Sequence, residues 1–170
     1  MIKVGLLSDT HSYLDPKVFH YFKDCDEVWH AGDIGSMDLL LQLEDFKPLK
    51  AVYGNIDNAE IRAATQENLI WDCAGLKVLM THIGGYPKRY NPRVRDLIRE
   101  HKPGLYICGH SHILKIMPDP SNQLLHINPG AAGIHGFHKM KTLVRFSVDA
   151  GKIDQMEVIE LGKRGAIDQS

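Results

Sequence analysis

No stretch of this 170-residue sequence approaches the roughly 20 consecutive apolar residues that a membrane-crossing helix requires, so a transmembrane helix is not expected. Charge of one sign is also missing. Against 20 Lys and Arg stand 21 Asp and Glu, and a formal charge of −1 leaves no broad basic footprint for duplex nucleic acid or an acidic membrane. An anionic ligand must therefore be met locally. Cysteine is scarce: Cys25, Cys73 and Cys108 are odd in number, widely spaced and set among apolar residues, which argues against a disulfide framework and for a reducing compartment. The opening segment lacks the basic region and long apolar stretch of a secretory leader and reads as a strand running into Asp9, so a cytoplasmic location is expected.

What is present is an ordinary globular composition, 44% hydrophobic and 24% charged, in a chain long enough to bury a full core. One domain over residues 1–161 is expected, with a flexible C-terminal tail over 162–170. Apolar runs at 2–7, 27–30 and 49–53 alternate with helical patterns, one opened by Asp15-Pro16 and running to Lys23, the other capped by Ser36 and running toward Phe46. That alternation predicts parallel βαβ connections. The second half predicts a hairpin over 69–73 and 76–80, a helix from Asn91-Pro92 to Glu100, and strands over 105–108, 113–117, 124–127, 142–148 and 153–159. The fold class is α/β, a four-layer α/β/β/α sandwich of two mixed sheets flanked by helices.

The chemistry is concentrated where these strands end. Ser8-Asp9-Thr10-His11 offers a carboxylate and an imidazole two residues apart, on one side of an extended chain. Gly32-Asp33-Ile34-Gly35 sets an aspartate between glycines that permit a sharp turn and a close approach to a ligand. Gly54-Asn55-Ile56-Asp57 supplies an amide that can offer an oxygen to a cation or a hydrogen to a phosphate. Thr81-His82 and Gly109-His110-Ser111-His112 complete the series. Each piece alone reads as a polar turn. Together, Asp9, His11, Asp33, Asn55, His82, His110 and His112 come from separate strand ends, the first three motifs at carboxyl ends of parallel strands, where α/β folds bind ligands.

Mixed imidazole and carboxylate donors suit Mn, Fe, Ni or Zn better than Ca, which takes an oxygen cage. Seven donors are too many for one open tetrahedral ion but suit two ions sharing a carboxylate, and Asp33, from a central strand, is the natural bridge. Two divalent ions less two carboxylates leave a surplus of about two positive charges, which a phosphate ester would match, and a pair of ions about 3.5–4 Å apart is suited to in-line displacement at phosphorus.

In order and spacing these motifs resemble the calcineurin-like metallophosphoesterase superfamily, and more closely its small single-domain bacterial and archaeal phosphodiesterases, over residues 1 to about 148. The resemblance implies that Asp9, His11, Asp33 and His112 hold one ion and that Asp33, Asn55, His82 and His110 hold the second. It implies a bridging hydroxide attacking phosphorus, with Asn55 touching the phosphate, His110 among the catalytic groups, and Asp57 fixing the Asn55 loop. Two divalent ions are expected, manganese first, with nickel, iron, zinc or magnesium as alternatives. The expected substrate is a small phosphodiester, with monoesters, nucleotides and short oligonucleotides also in range. Neither a membrane nor extended duplex nucleic acid is an expected partner, while self-association is compatible with the sequence.

Two departures from the family pattern matter. Ile56 stands where many larger relatives place a histidine thought to protonate the leaving group, which implies leaving groups of low pKa or another acid, with His135 and His138 the substitutes. Ala131 stands where serine is common. Tyr86, Arg89, His135 and His138, in two loops rich in aromatic and basic residues, are the expected substrate contacts. The rival readings are a protein-interaction scaffold, since similar folds serve as subunits of membrane-trafficking coats, a non-catalytic metal binder, and a nuclease, which the near-neutral charge disfavours.

Overall fold

The computed structural model describes residues 1–165. The first sheet contains β1 (Ile2–Leu7), β2 (Glu27–His30), β3 (Leu49–Ala51), β11 (Met140–Asp149) and β12 (Lys152–Lys163), ordered β12-β11-β1-β2-β3. The second contains β4 (Asn68–Cys73), β5 (Leu76–Thr81), β8 (Leu105–Ile107), β9 (Lys115–Asp119) and β10 (Leu124–Asn128), ordered β4-β5-β8-β10-β9. In the first, parallel β1-β2-β3 runs out to the β3 edge and carries antiparallel β11 and β12 on its other side; in the second, parallel β5-β8-β10 lies between antiparallel β4 and β9. Helices α1 (Lys17–Tyr21), α2 (Met37–Phe46), α3 (Ala59–Ala64) and α4 (Pro92–His101) complete the sandwich, with a small hairpin of β6 (Gly85–Tyr86) and β7 (Arg89–Tyr90).

The period-two rule for strands explains the layering. Val4 and Leu6, Val78 and Met80, Leu105 and Ile107, and Val144 and Phe146 meet in one central cluster around Trp29, so the inner faces of the two sheets form the main core. The intervening residues point the other way: Leu7, Val28 and Leu143 meet Val18 of α1 and Leu39, Leu40 and Leu43 of α2, while Leu79 and Tyr106 meet Val94 and Ile98 of α4. Both sheets are thus buried on both faces at their centres, as parallel strands require. Among the described residues no helix is long and apolar enough to cross a membrane.

Element boundaries differ from the sequence reading in physically simple ways. Pro16 is the N-cap of α1, Asp15 accepts from the Lys17 amide at 2.9 Å, and the helix ends at Tyr21, two residues early. The expected strand at 113–117 lies two residues later, because Ile113 is held in a turn by Ser111 Oγ at 3.2 Å and pairing with β10 starts only at Lys115 opposite Asn128. Three residues of the tail expected from Gly162 are tied to the first sheet: Gly162 and Lys163 pair with Lys141 and Met140, and Arg164 donates from its amide to the Lys139 carbonyl at 2.9 Å. Residues 166–170 of that expected tail lie outside the described residues. Helix α3, capped by Asn58, and the β6-β7 hairpin were not anticipated.

Candidate metal centre

The strand-end residues converge at one end of the sandwich. Ligand atoms of Asp9, His11 and His112 lie within 4.8 Å of one another, and those of Asp33, His82 and His110 form a second such group. Asp33 Oδ2 lies between them, 3.3 Å from His11 Nε2 and 3.1 Å from His82 Nε2. Asp9 Oδ1 is 3.1 Å from His112 Nε2 and 3.8 Å from both His11 and His82. Asn55 Oδ1 and His110 Nδ1 stand 3.0 Å apart, a spacing that also suits neighbouring ligands of one cation, about 3.0–3.4 Å for bonds near 2.1 Å.

The backbone sets these side chains by unusual conformations. Asp9, His11, Asp33, His110 and His112 all have positive φ, between 46° and 72°, in a left-handed region that non-glycine residues enter at a cost of order 1–3 kcal/mol each. The strain is held by tertiary hydrogen bonds: the amides of Asp9 and His11 donate to the carbonyls of Gly32 and Asp33 at 2.9 and 3.0 Å, stitching the first loop to the second. Gly32 is required by close approach, since a Cβ there would sit 2.6 Å from His82 Nδ1, and at Gly109 it would collide with Ser8 Oγ and Asp9 Oδ2.

The orientation of each donor is fixed. Asp9 Oδ2 accepts from Ser8 Oγ at 2.6 Å and from the His110 amide at 3.1 Å, leaving Oδ1 for the centre. Asp33 Oδ1 accepts from the Ile56 amide at 3.1 Å, leaving Oδ2. His82 Nδ1 faces the Ala31 carbonyl at 2.7 Å and must donate to it, so the Nε2 lone pair points inward. Asp57 accepts from the amides of Ile34, Gly35 and Gly54, binding the Asp33 loop to the Asn55 loop.

Several supporting residues were not foreseen from sequence. His30 accepts the Gly32 amide on Nδ1 at 3.1 Å and therefore donates from Nε2 to Thr10 Oγ1 at 3.0 Å, which in turn donates to the Ile34 carbonyl at 2.9 Å. Its burial lowers its pKa to about 4, so it stays neutral. Arg62 stacks on Tyr53 at 4.8 Å and donates to the carbonyl of Asp57 at 2.8 Å, with longer bonds to Gly54 and Asn55 at 3.5 and 3.4 Å. Sequence carried one usable sign for these: a histidine at the end of β2, directly before Ala-Gly-Asp.

A cation fits this centre on the structure's own terms. Asp9 Oδ1, His11 Nε2 and His82 Nε2 are buried and make no hydrogen bond, although buried polar atoms are nearly always bonded. They are the atoms that cluster. Burial would raise the Asp9 and Asp33 carboxyls, but His11 with His112 at Asp9, and His11 with His82 at Asp33, hold both below the usual carboxylate range. In turn Asp33 first and Asp9 second raise His11 to about 9, so without metal the negative charge is met by imidazolium.

The remaining expected residues divide. His135 stacks on His11 with centroids 4.8 Å apart, and both it and His138 line the cleft over the centre. His138 donates from Nε2 to the Gly133 carbonyl at 2.8 Å, and burial lowers its pKa, so its proton is committed and it is not a ready acid. Tyr86 lines a neighbouring cavity, whereas Arg89, exposed in the hairpin, lines neither the cleft nor that cavity. Ile56 is exposed at the cleft, and Ala131 is fully buried with its carbonyl accepting from the Thr142 amide.

A family model of the calcineurin-like phosphoesterase superfamily domain matches residues 2–151. A probable metallophosphoesterase of Methanothermobacter thermautotrophicus is 28% identical over 166 residues, covering 94% of this chain and 92% of that protein. Among solved structures, one described as a novel archaeal phosphodiesterase superposes with TM-score 0.75 at 23% identity, covering 94% of this chain and all of the other. Wild-type Vps29 from Entamoeba histolytica, complexed with Zn2+, superposes with TM-score 0.64 at 17% identity, covering 94% and 99%.

Proposed function

The chain belongs to the calcineurin-like phosphoesterase superfamily, and from that premise we propose that it is a phosphodiesterase using two divalent ions, acting on small phosphate esters in the cytoplasm as one domain. The observation that carries this reading is the pair of donor groups joined by Asp33 Oδ2, in which three inward-facing atoms, Asp9 Oδ1, His11 Nε2 and His82 Nε2, are buried without a hydrogen-bond partner. Asp9, His11, Asp33 and His112 would hold one ion and Asp33, Asn55, His82 and His110 the other. When bound, such ions supply water activation and charge neutralisation at phosphorus. Manganese is the first expectation, with nickel, iron, zinc and magnesium alternatives, since these donors accept several first-row metals.

The chain's own residues divide the remaining work. Asp57 and Arg62 fix the loop that carries Asn55, whose amide can donate to a phosphate oxygen. His110 and Asn55 stand at the edge of the cleft and orient the phosphate, while His135 and Tyr86 are placed to meet the ester groups. Ile56 gives no proton, which favours leaving groups of low pKa. The three buried free cysteines support a reducing compartment.

A scaffold reading has one observation in its favour: Phe137 is 101% exposed and Ile113 63% exposed beside the cleft, and the zinc-bound Vps29 likeness means that metal binding alone does not separate the two readings. Hydrolysis of bis(p-nitrophenyl) phosphate by metal-stripped protein, with each metal returned singly and Asp33→Asn as control, separates them. Activity that returns in the native chain and not in the control supports the esterase. Metal uptake without turnover of diester or monoester supports the scaffold.

A further inference from the structure

Beside the cleft lies a second cavity of about 170 Å3, which shares His110, Ser111 and Ile113 with it. A substrate whose phosphate sat at the metal centre could therefore extend past His110 into this space. The lining is largely apolar, from Ile83, Ile113, Cys108 and the ring of Tyr86. The small hairpin supplies Tyr86, and the Lys115 ammonium lies 3.6 Å from the centroid of its ring.

Three polar groups on this lining keep hydrogen-bonding capacity. His126 is 1% exposed and stacks on Tyr106 with centroids 4.8 Å apart. Its Nδ1 lies 3.2 Å from the Tyr106 carbonyl, which can only accept, so Nδ1 carries the proton and Nε2 is a free acceptor. Burial, which lowers this imidazole's pKa to about 4, keeps it in that neutral form. Ser111 Oγ accepts from Asn128 Nδ2 and from the Ile113 amide, which leaves its own proton to donate. The ammonium of Lys115 is the third. Asn128 has no donor to spare, since both hydrogens of its amide are taken by Gly109 and Ser111, while its oxygen accepts from Gly130.

One buried acceptor and two donors on an apolar wall suit a flat heterocycle with an N–H beside a carbonyl. We propose that this cavity holds the base of a nucleoside phosphate ester, with a base N–H donating to His126 Nε2 and a base carbonyl accepting from Lys115 or Ser111. The assignment of the phosphate to the metal centre rests on the phosphoesterase reading; the base pocket itself does not.

The test has two arms. In the first, the full-length metal-free protein is titrated with thymidine, which has no phosphate, while the methyl signals of Ile83 and Ile113 and the ring nitrogens of His126 are followed by NMR. Saturable shifts at these positions in the millimolar range are expected, weakened several-fold in Tyr86→Ala, whose exposed position makes misfolding a minor concern, and in His126→Phe. No shift up to about 10 mM in folded protein overturns the pocket. In the second, kcat/KM is compared for methyl, phenyl and thymidine 5′ diesters of p-nitrophenol, which share one leaving group. The thymidine ester should exceed the methyl ester about tenfold or more, roughly 1.4 kcal/mol, and should exceed the phenyl ester. Equal rates on all three overturn the pocket and leave the esterase standing, whereas thymidine shifts without any turnover keep the pocket and sink the esterase.

Discussion

Asp57→Asn is the substitution whose consequences follow most directly from the geometry. The Asp57 carboxylate is 4% exposed, and it accepts from Ile34 at 3.2 Å and Gly54 at 2.8 Å on one oxygen and from Gly35 at 2.8 Å on the other. Asparagine keeps one oxygen. Its best orientation retains the first two bonds without charge assistance and turns an NH2 toward the Gly35 amide, donor against donor. A buried amide left unpaired costs about 1–3 kcal/mol, and the weakened bonds bring the total to roughly 2–4 kcal/mol. For a chain of this size that lowers Tm by roughly 5–15 °C in the metal-free state. Because these bonds join the Asp33 loop to the Asn55 loop, metal affinity should fall about 10–100-fold as well. Thermal unfolding in chelator and calorimetric titration with manganese give the two numbers. Asn58→Ala is the control: it removes the cap of α3, a 3.0 Å bond to Ile61, at about 1 kcal/mol with no loss of metal affinity. A Tm within about 2 °C of the native chain, with unchanged affinity, would refute the assignment of Asp57 as the tie between the loops.

Three further outcomes are expected. Lys141 and Asp15 form a 2.8 Å ion pair with both side chains 2% exposed, so Lys141→Met should destabilise by about 3–5 kcal/mol in urea unfolding, and adding Asp15→Asn should restore a good part of it. His11, raised to about 9 by Asp33 and Asp9, contributes stability that is fully present below its ordinary value of 6.5 and is lost as pH rises through about 9; the metal-free urea midpoint should fall across that window. A midpoint independent of pH there contradicts the ion cluster. Metal analysis should find Asp33→Asn unable to hold either ion, whereas His112→Ala retains the ion assigned to Asp33, Asn55, His82 and His110.

Much of this architecture was legible because it is written in period-two alternation and strand-end glycines. Val4 and Leu6 against Leu7, and Leu105 and Ile107 against Tyr106, are enough to infer sheets buried on both faces. The donors were legible because carboxylates and imidazoles recurred where strands stopped. What was hidden is tertiary. The positive φ of Asp9, His11 and His110 depends on hydrogen bonds from loops far along the chain, and the contact of Arg62 with the Asn55 loop depends on α3, a short helix with a weak pattern. The β6-β7 hairpin has only two residues per strand, too few for any period to show, so it could not be read from sequence that Tyr86 lines the neighbouring cavity while Arg89 lines neither it nor the cleft. The shift of β9 follows from a Ser111 turn that composition does not distinguish from the start of a strand.

The central claim is tested most directly by titrating metal-stripped protein with manganese and measuring hydrolysis of bis(p-nitrophenyl) phosphate at each step. Activity should rise to a break at two equivalents per chain. Two ions bound with no hydrolysis at any ratio, for this metal and for nickel, iron, zinc and magnesium alike, would contradict the account.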